Sequence, residues 1–122
     1  MIKSFSCTNV FSKNVKVLKE FYHDTLGIPV LSTIVDAFDG VNLGFLENAP
    51  TICIWDAVKW GAPISGTMSF VFMCDNLDMT CDELRSKGLS FEAPVKFEWS
   101  TYELRLRDPD GHEVVVVEVM NQ

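Results

Sequence analysis

The stretch that decides the fold is Asp108-Pro109-Asp110-Gly111-His112-Glu113, which runs directly into Val114-Val115-Val116-Val117-Glu118-Val119. A Pro-Asp-Gly turn that leads into β-branched residues predicts a β-hairpin. The second strand of this hairpin is expected over Glu113–Val119, and the first over Tyr102–Arg107. The remaining elements of the chain are predicted outward from this antiparallel pair.

The chain repeats its own pattern at an offset of 62 residues. Cys7–Phe11 aligns with Ser69–Met73, and both segments are typical of strands. Asn14 and Asn76 also align, and each precedes a helical pattern as a plausible N-cap. Each half of the chain is therefore predicted to hold a strand, a helix and three further strands.

The predicted elements of the two halves follow from apolar spacing and from turn residues. In the first half a helix is expected from Asn14 to a stop at Gly27. Its strands are expected at Ser6–Phe11, Pro29–Ile34, Val41–Leu46 and Thr51–Trp55. In the second half a helix is expected over Leu77–Lys87, ended by Gly88. Its strands are expected at Thr67–Cys74, Leu89–Ala93, Tyr102–Arg107 and Glu113–Val119.

The two halves are interpreted as modules of one α+β domain covering residues 1–122. Module one covers about residues 1–57, and module two about residues 66–122. Asp56–Ser65 contains Gly61 and Pro63 without periodicity, which indicates a linker. Because neither half is large enough to be comfortably stable alone, the modules are expected to pack together.

Composition excludes several classes of function. The 122 residues carry a formal charge of -7 and a pI of about 4.6, which would repel nucleic acid. No apolar run approaches the ~20 residues that a membrane helix needs. The first residues show no signal-peptide pattern, so a cytoplasmic protein without membrane contact is expected. The four cysteines form no CxxC pair and are expected to be reduced thiols.

Two motifs resemble those of a known family. Phe21-Tyr22-His23-Asp24-Thr25-Leu26-Gly27 resembles the "FY…LG" signature of the vicinal oxygen chelate superfamily, and Asp108-Pro109-Asp110-Gly111 resembles its "DPDG" turn. That superfamily includes glyoxalase I, extradiol dioxygenases, fosfomycin-modifying enzymes and bleomycin-resistance proteins. The resemblance covers essentially the whole chain. It implies two βαβββ modules that form a cupped, eight-stranded mixed sheet with helices outside, and commonly a homodimer.

The resemblance also implies where a metal would be held. In the metal-dependent members, His, Gln or Glu ligands come from the first and last strands of each module. Those positions fall here on Cys7, Cys53, Ser69 and Val115. Val115 cannot ligate a metal and Ser69 is a poor neutral ligand. The chain is therefore closest to the metal-free, bleomycin-resistance-like branch, with no metal, no other cofactor and no catalytic residue expected.

Other side chains could substitute for the missing ligands. Cys7 and Cys53 are expected on neighbouring strands, where two thiolates would suit a soft ion or cross-link on oxidation. Small side chains that line a pocket are the preferred interpretation. His112 is expected to be a solvated hairpin histidine, and His23 to lie outside the cup. Glu118 has the wrong alternation to share a face with Val115, whereas Glu113 shares that face and would rim the pocket.

Strand alternation predicts which side chains line the cup. The strand positions expected to face a ligand are Cys7, Asn9, Phe11, Cys53, Trp55, Ser69, Val71, Met73, Glu103, Arg105 and Val115. Trp60 in the linker and Trp99 before a strand are expected to close over the pocket as flaps. Such a lining suits a flat or amphipathic molecule. The alternatives are a filled interior, a dimer contact for Trp60, and a surface ion pair for Glu103 with Arg105.

These expectations lead to a metal-independent protein that binds a small molecule. A cationic or aromatic drug or metabolite would suit the acidic chain, as in antibiotic sequestration. The alternative is an enzyme of the same superfamily, a lyase, transferase or dioxygenase, with a relocated or thiolate-based site. A third possibility is an interaction module with a filled cup, because a fold does not fix a function.

Overall fold

The computed structural model describes residues 1, 5–31, 40–46, 49–61 and 68–120. The strands in these residues are β1 (Cys7–Ser12), β2 (Val41–Leu43), β3 (Thr51–Asp56), β4 (Ser69–Met73), β5 (Val95–Phe97), β6 (Thr101–Arg107) and β7 (Glu113–Val119). The helices are α1 (Val15–Lys19), which continues as a π-helix over Glu20–Thr25, α2 (Ala57–Trp60) and α3 (Leu77–Ser86). The predicted α+β class is confirmed.

The chain divides into two compact units, Met1–Ser65 and Gly66–Gln122, each with its own mixed sheet. In the first unit the strand order is β1-β3-β2, with β1 parallel to β3 and β2 antiparallel to it. Val30 adds an isolated antiparallel bridge to Leu43. In the second unit the order is β4-β7-β6-β5, with β4 parallel to β7 and the other pairs antiparallel.

The first unit is built on a helix packed against one face of its sheet. Asn14 caps α1 as predicted, because its Oδ1 accepts a hydrogen bond from the Val17 amide at 3.2 Å. Leu18 and Tyr22 are fully buried, as is Ile54 on β3. The helix widens into the π form where two adjacent aromatic residues, Phe21 and Tyr22, are both buried.

The second unit repeats this plan with a regular helix. Leu77, Cys81 and Leu84 of α3 are buried as predicted. Gly88 follows the helix with a φ of 91°, a left-handed conformation that glycine adopts without a steric penalty. Asn76 caps α3 through its Oδ1, which accepts a hydrogen bond from the Met79 amide at 3.0 Å, and Glu118 Oε1 on β7 accepts a second one from the Leu77 amide at 2.7 Å. Glu118 therefore lies on the helix side of the sheet, as its alternation predicted.

The turn between β6 and β7 is held by Asp108, which is buried. Its Oδ1 accepts hydrogen bonds from the amides of Asp110 and His112, each at 2.9 Å. Gly111 has a φ of 88°, which explains the glycine at this point of the turn. The strand that follows covers Glu113–Val119, as predicted.

Several predicted boundaries are wrong. No strand forms over Leu89–Ala93, and β5 begins only at Val95, because Pro94 has no amide hydrogen to give to a sheet. The strand expected at Val41–Leu46 ends at Leu43. The linker expected from Asp56 begins instead with helix α2. Parts of the predicted strands Pro29–Ile34 and Thr67–Cys74, and of the linker, lie outside the described residues.

Candidate ligand-binding sites

The first candidate site lies on the face of β1 and β3 opposite the helix. Asn9 pairs in register with Cys53, and Phe11 with Trp55. Because alternate strand residues share a face, these four side chains point to the same side, together with Cys7. Val10 on the opposite side of β1 is buried. The predicted faces of these two strands therefore agree with the register.

A pocket of about 300 Å³ opens on this face. It is lined by Asn9, Phe11, Trp55 and Trp60. Trp55 Nε1 donates a hydrogen bond to Asn9 Oδ1 at 3.0 Å. The Trp55 and Trp60 rings meet edge to face, with centroids 5.9 Å apart and planes at 82°. The first unit thus brings together four of the residues that the sequence predicted to contact a ligand.

Helix α2 places Trp60 at this pocket. Asp56 Oδ1 accepts hydrogen bonds from the amides of Val58 at 2.9 Å and Lys59 at 3.2 Å, which starts the helix directly after β3. One turn later Trp60 returns toward Trp55 on the preceding strand. The Lys59 ammonium lies 5.8 Å from the centroid of the Trp60 ring. Trp60 therefore belongs to a short helix rather than to an irregular flap.

Two thiols and an amide lie beside the aromatic residues on the same strands. Cys53 is 5% exposed, and its Sγ donates a hydrogen bond to Asn42 Oδ1 at 3.3 Å. Cys7 Sγ lies 3.7 Å from Asn9 Oδ1. Burial raises the pKa of the Cys53 thiol above its ordinary 9.0; a hydrogen bond with Thr51 opposes the rise and neighbouring Cys7 adds to it. Cys53 is therefore a protonated thiol at neutral pH.

Asn42 is a polar residue of this face that the sequence analysis missed. It is buried on β2 and pairs in register with Cys53. The available signal was a single amide between the apolar residues Val41 and Leu43 in a short strand. A buried amide in such a strand needs a hydrogen-bond partner, and here the partner is the Cys53 thiol.

The second candidate site lies on β4, β6 and β7, on the face opposite α3. Ser69 Oγ donates a hydrogen bond to Glu113 Oε1 at 2.6 Å. Arg105 bridges two carboxylates, with Nη1 3.1 Å from Glu113 Oε2 and Nη2 3.0 Å from Glu103 Oε1. The Ser69 hydrogen bond lowers the pKa of Glu113 below its ordinary 4.5, and Arg105 adds to the effect. This face thus carries a connected network of ionised groups.

An aromatic pair adjoins the network at the turn between β5 and β6. Phe97 and Trp99 stack, with centroids 4.6 Å apart and an interplanar angle of 12°. Trp99 Nε1 donates to Glu103 Oε2 at 3.3 Å, and Thr101 Oγ1 donates to the same oxygen at 2.7 Å. A cavity of about 100 Å³ adjoins Phe97, Glu103 and Arg105. The second unit thus brings together Trp99, Glu103 and Arg105, three of the residues that the sequence predicted to contact a ligand.

Three other predicted residues of this unit have different surroundings. Val71 and Met73 lie on β4, which among the described strands is hydrogen-bonded only to β7, and they are 64% and 74% exposed. Val115 shares their face of the sheet but is buried. It pairs in register with Val71 on one side and with Arg105 on the other. Val115 therefore supplies an apolar base next to the charged network.

The prediction for His112 is wrong, because this side chain is buried and only 6% exposed. Its Nδ1 accepts a hydrogen bond from the Met68 amide at 3.3 Å. Within the described part of the chain its Nε2 has no hydrogen-bond partner. His23 lies in the first helix, where its Nδ1 donates to the Ile28 carbonyl at 2.7 Å. His112 is therefore part of the interior that supports the hairpin.

The side chains at the four positions where the superfamily's metal-dependent members hold a metal differ from the usual ligands. A Lewis-acid site of that type needs several imidazole or carboxylate ligands. The four positions implied by the resemblance hold the Cys7 and Cys53 thiols, a Ser69 hydroxyl that donates to Glu113, and the methyl groups of Val115. Among residues 5–31, 40–46, 49–61 and 68–120, no three His, Cys, Asp or Glu side chains cluster as metal ligands would. The donor set does not fit such a metal.

The chain is thus an α+β protein of two units with a similar arrangement of strands and helix, and each unit has a pocket beside its sheet. The family model of the Glyoxalase/Bleomycin resistance protein/Dioxygenase superfamily matches residues 4–116. The chain therefore belongs to this superfamily. No curated protein sequence matches the chain. Within the described residues, no helix has the length and apolar character needed to cross a membrane.

Solved structures share the fold at low sequence identity. Lactoylglutathione lyase from Agrobacterium tumefaciens has a TM-score of 0.73 at 16% identity, covering 96% of this chain and 94% of its own. TnmS3, an antibiotic binding protein from Streptomyces sp. CB03234, has a TM-score of 0.74 at 18% identity, covering 97% of each chain. An integron cassette protein from the mobile metagenome of Halifax Harbour Sewage Outfall has a TM-score of 0.74 at 23% identity, covering 96% and 99%.

Proposed function

We propose that this chain is a metal-independent binding protein for a flat aromatic molecule, held in the pocket of its first unit. The observation that carries the proposal is the pocket of about 300 Å³ lined by Asn9, Phe11, Trp55 and Trp60. Its volume lies at the lower end of the range for small-molecule sites. Its lining of three aromatic rings and one amide suits stacking and hydrogen bonding rather than bond chemistry.

The aromatic residues supply most of the expected binding energy. Each well-placed ring pair contributes about 0.5–1.5 kcal/mol beyond the area that it buries. The edge-to-face contact of Trp55 with Trp60 holds both indoles in place before a ligand arrives. Such preorganisation reduces the ordering cost of binding.

Asn9 supplies the expected polar contact. Its Oδ1 accepts the Trp55 hydrogen bond, which fixes the orientation of the amide. Among the described residues, its Nδ2 group makes no hydrogen bond. Two amide hydrogens are therefore available to a carbonyl or ring nitrogen of the ligand.

Charge favours a cationic ligand over an anionic one. The chain carries a formal charge of -7, which attracts cations over distances of about a Debye length. Aromatic faces also attract cations directly. The Lys59 ammonium is close to Trp60, so a ligand cation is expected nearer to Trp55 and Phe11.

The fold relatives support binding as a role for this architecture. TnmS3 is an antibiotic binding protein, so a drug is one reasonable ligand for this chain. At 18% identity the likeness shows the fold alone, and the ligand must be inferred from the residues above. The cytoplasmic location and the homodimer stay predictions from the sequence.

The enzymatic alternative rests on the Cys7 and Cys53 thiols, which lie on neighbouring strands. A lyase, transferase or dioxygenase with a thiolate-based site would need at least one of them ionised. The raised pKa of Cys53 opposes this role for Cys53 itself, because a protonated thiol is a poor nucleophile and a poor metal ligand. Turnover of a dicarbonyl, catechol or epoxide substrate that disappears in the C7S/C53S double variant would establish this alternative instead.

The proposal is tested with planar probes of different charge and with the metal removed. Purified protein is dialysed against a chelator, its metal content is measured, and calorimetry then follows binding of proflavine (a cation), acridone (neutral) and anthraquinone sulfonate (an anion). We expect proflavine to bind most tightly and the sulfonate least, with no change on chelation. Failure of all three to bind, or binding that is lost on chelation and restored by zinc or nickel, contradicts the proposal.

A further inference from the structure

The second unit contains a pocket at the place where the sequence predicted a strand. Strand β6 pairs with β7 along Thr101–Arg107, but with β5 only along Thr101–Glu103. In the described part of the chain, the β5 side of Leu104–Arg107 therefore has no strand partner. Residues 89–91 pass beside this edge without pairing. A cavity of about 380 Å³ lies between them, lined by Leu89, Ser90, Phe91, Arg105, Leu106, Arg107 and Glu113.

Two of the chain's three arginines line this cavity, and the third lies against a residue of its wall. Arg105 and Arg107 line it directly. The Arg85 guanidinium lies 4.8 Å from the ring centroid of Phe91, which forms part of the wall. The other seven basic residues are lysines at other positions of the sequence. Among the charged residues that line the cavity, two arginines stand against one carboxylate, Glu113.

The two lining arginines are held in fixed positions. Arg105 is bridged between Glu103 and Glu113 at 3.0 and 3.1 Å. Arg107 Nη1 donates to the Gly111 carbonyl at 3.1 Å and forms no salt bridge within the described residues. Both oxygens of Glu113 are occupied, by Ser69 and by Arg105. Arg107 also interacts electrostatically with Glu113, but it forms no ion pair among the described residues, so its charge is the less compensated of the two arginine charges in this lining.

We propose that this cavity binds an amphipathic anion, a carboxylate or phosphate group on an aromatic or aliphatic body. The planar guanidinium fork matches both kinds of head group, and a charge-assisted pair is about twice as strong as a neutral hydrogen bond. Arg107, with Ser90 beside it, holds the head group. Phe91, Leu89 and Leu106 contact the apolar body. This site is independent of the proposed function, because it lies in the other unit and selects the opposite charge.

The experiment uses the full-length chain with matched small probes. Heteronuclear NMR titrations compare benzoate and phenyl phosphate with benzamide, a neutral molecule of the same shape as benzoate. We expect both anions to shift the amide signals of Ser90, Phe91 and Arg107, and benzamide to bind at least about tenfold more weakly. The stronger of the two anions identifies the preferred head group.

Two variants test the role of Arg107. R107Q is expected to weaken anion binding at least about tenfold, and R107K to recover part of that loss because it restores charge without the fork. The control is K96Q, which removes the same charge from an exposed position of β5 that does not line the cavity. K96Q is expected to change binding by less than about twofold, consistent with a screened surface charge.

Two outcomes overturn the proposal. The first is benzamide binding as tightly as benzoate, which would show a merely apolar cavity. The second is an equal loss in R107Q and K96Q, which would show a general charge effect. Circular dichroism and thermal unfolding identify a variant that has lost its fold. If R107Q is such a variant, the anion affinity of R107K is compared with that of the unchanged chain instead. Proflavine binding in the first unit is measured in parallel, and its loss in an otherwise folded R107Q would show that the two sites are not independent.

Discussion

At the residue scale, the proposed binding site depends on how Asn9 and Trp55 fix one another. The amide oxygen of Asn9 accepts the indole hydrogen bond of Trp55 at 3.0 Å across two adjacent strands. The bond limits the rotamers of both side chains, which lie on the pocket wall. Asn9 is thus expected to act on binding in two ways, through its own amide hydrogens and by holding the indole.

Asn9→Ala is predicted to lower the free energy of unfolding by about 1 kcal/mol, a typical net value for one hydrogen bond. Affinity for acridone should fall about tenfold, because the amide donor to its carbonyl and the fixed indole are both lost. Chemical denaturation and calorimetry measure the two effects. In a W55F background the stability cost should largely disappear, since the partner is already gone. An unchanged cost in that background contradicts the role assigned to this bond.

Cys53 gives a prediction about pH. Because burial raises its pKa above 9.0, the folded state is favoured while the thiol is protonated. This contribution is fully present below pH 9.0 and is lost as the pH rises through the folded-state pKa. Iodoacetamide labelling with mass spectrometry should therefore be slow at Cys53 at neutral pH. Because Cys7 helps to raise the pKa of Cys53, C7S should lower that pKa toward 9.0 and speed the labelling of Cys53 near pH 9.0. Slower labelling of Cys53 in C7S contradicts the effect assigned to Cys7.

At the element scale, the short hairpin of β5 and β6 determines the shape of the second unit. Pro94 delays the strand to Val95, and the turn that follows places Ser100 at a φ of 70°. Ser100 still completes two backbone hydrogen bonds, donating to the Phe97 carbonyl at 3.1 Å and accepting from the Met120 amide at 2.9 Å. A non-glycine residue is therefore held in a left-handed conformation by the surrounding strands.

Ser100→Gly is predicted to raise the free energy of unfolding by up to about 1 kcal/mol, because glycine adopts a positive φ without strain. Thermal unfolding followed by circular dichroism measures the change. Ser90→Gly serves as the control, since it lies outside the strands and has no positive φ. That variant should leave stability unchanged or lower it slightly. A loss of stability in S100G greater than that in S90G contradicts the assigned strain.

Elements with strong local signals were predictable from the sequence. The N-cap at Asn76, the helix that follows and the strand Glu113–Val119 all depend on neighbouring residues, and all three are observed. The strand predicted over Leu89–Ala93 does not form. High β-propensity does not make a strand without a cross-strand partner, and Pro94 has no amide hydrogen to donate to a neighbouring strand. The apolar periodicity of the first helix also gave no indication of its π form over Glu20–Thr25.

The residues of the candidate sites were predictable from the sequence only where their placement depends on a single strand. Alternation along a strand correctly placed Asn9 and Phe11 on one face, because its period is local. The contacts between Asn42 and Cys53, and between Ser69 and Glu113, require the register between strands, which the sequence does not state. His112 was wrongly expected in solvent, because its pairing with the Met68 amide joins residues far apart in sequence.

At the scale of the whole molecule, charge is distributed unequally between the two candidate sites. The first pocket is lined by aromatic and amide groups, within a chain whose formal charge is -7. The cavity of the second unit is lined by Arg105 and Arg107, with one carboxylate, Glu113. The two units are thus expected to prefer ligands of opposite charge, although each repeats a similar arrangement of strands and helix.

Salt provides a test at this scale. Raising the ionic strength from about 0.01 M to 1 M shortens the Debye length from about 30 Å to about 3 Å. Proflavine affinity should therefore fall, because the attraction of the acidic chain is screened, whereas acridone affinity should stay constant or rise. Calorimetry at several salt concentrations gives both slopes. Equal slopes for the two probes contradict an electrostatic contribution to ligand choice.

The central claim is that a flat aromatic ligand binds against Trp55 and Trp60 without a metal. Tryptophan fluorescence of chelator-treated W99F protein tests it most directly, because the remaining indoles are both on the pocket wall. We expect saturable quenching by proflavine in W99F, weakened at least about tenfold by adding Trp60→Leu, a loss in the range found for stacking partners. If W99F is folded but proflavine does not quench its fluorescence, the quenching in the unchanged chain comes from Trp99 alone, and the claim is contradicted.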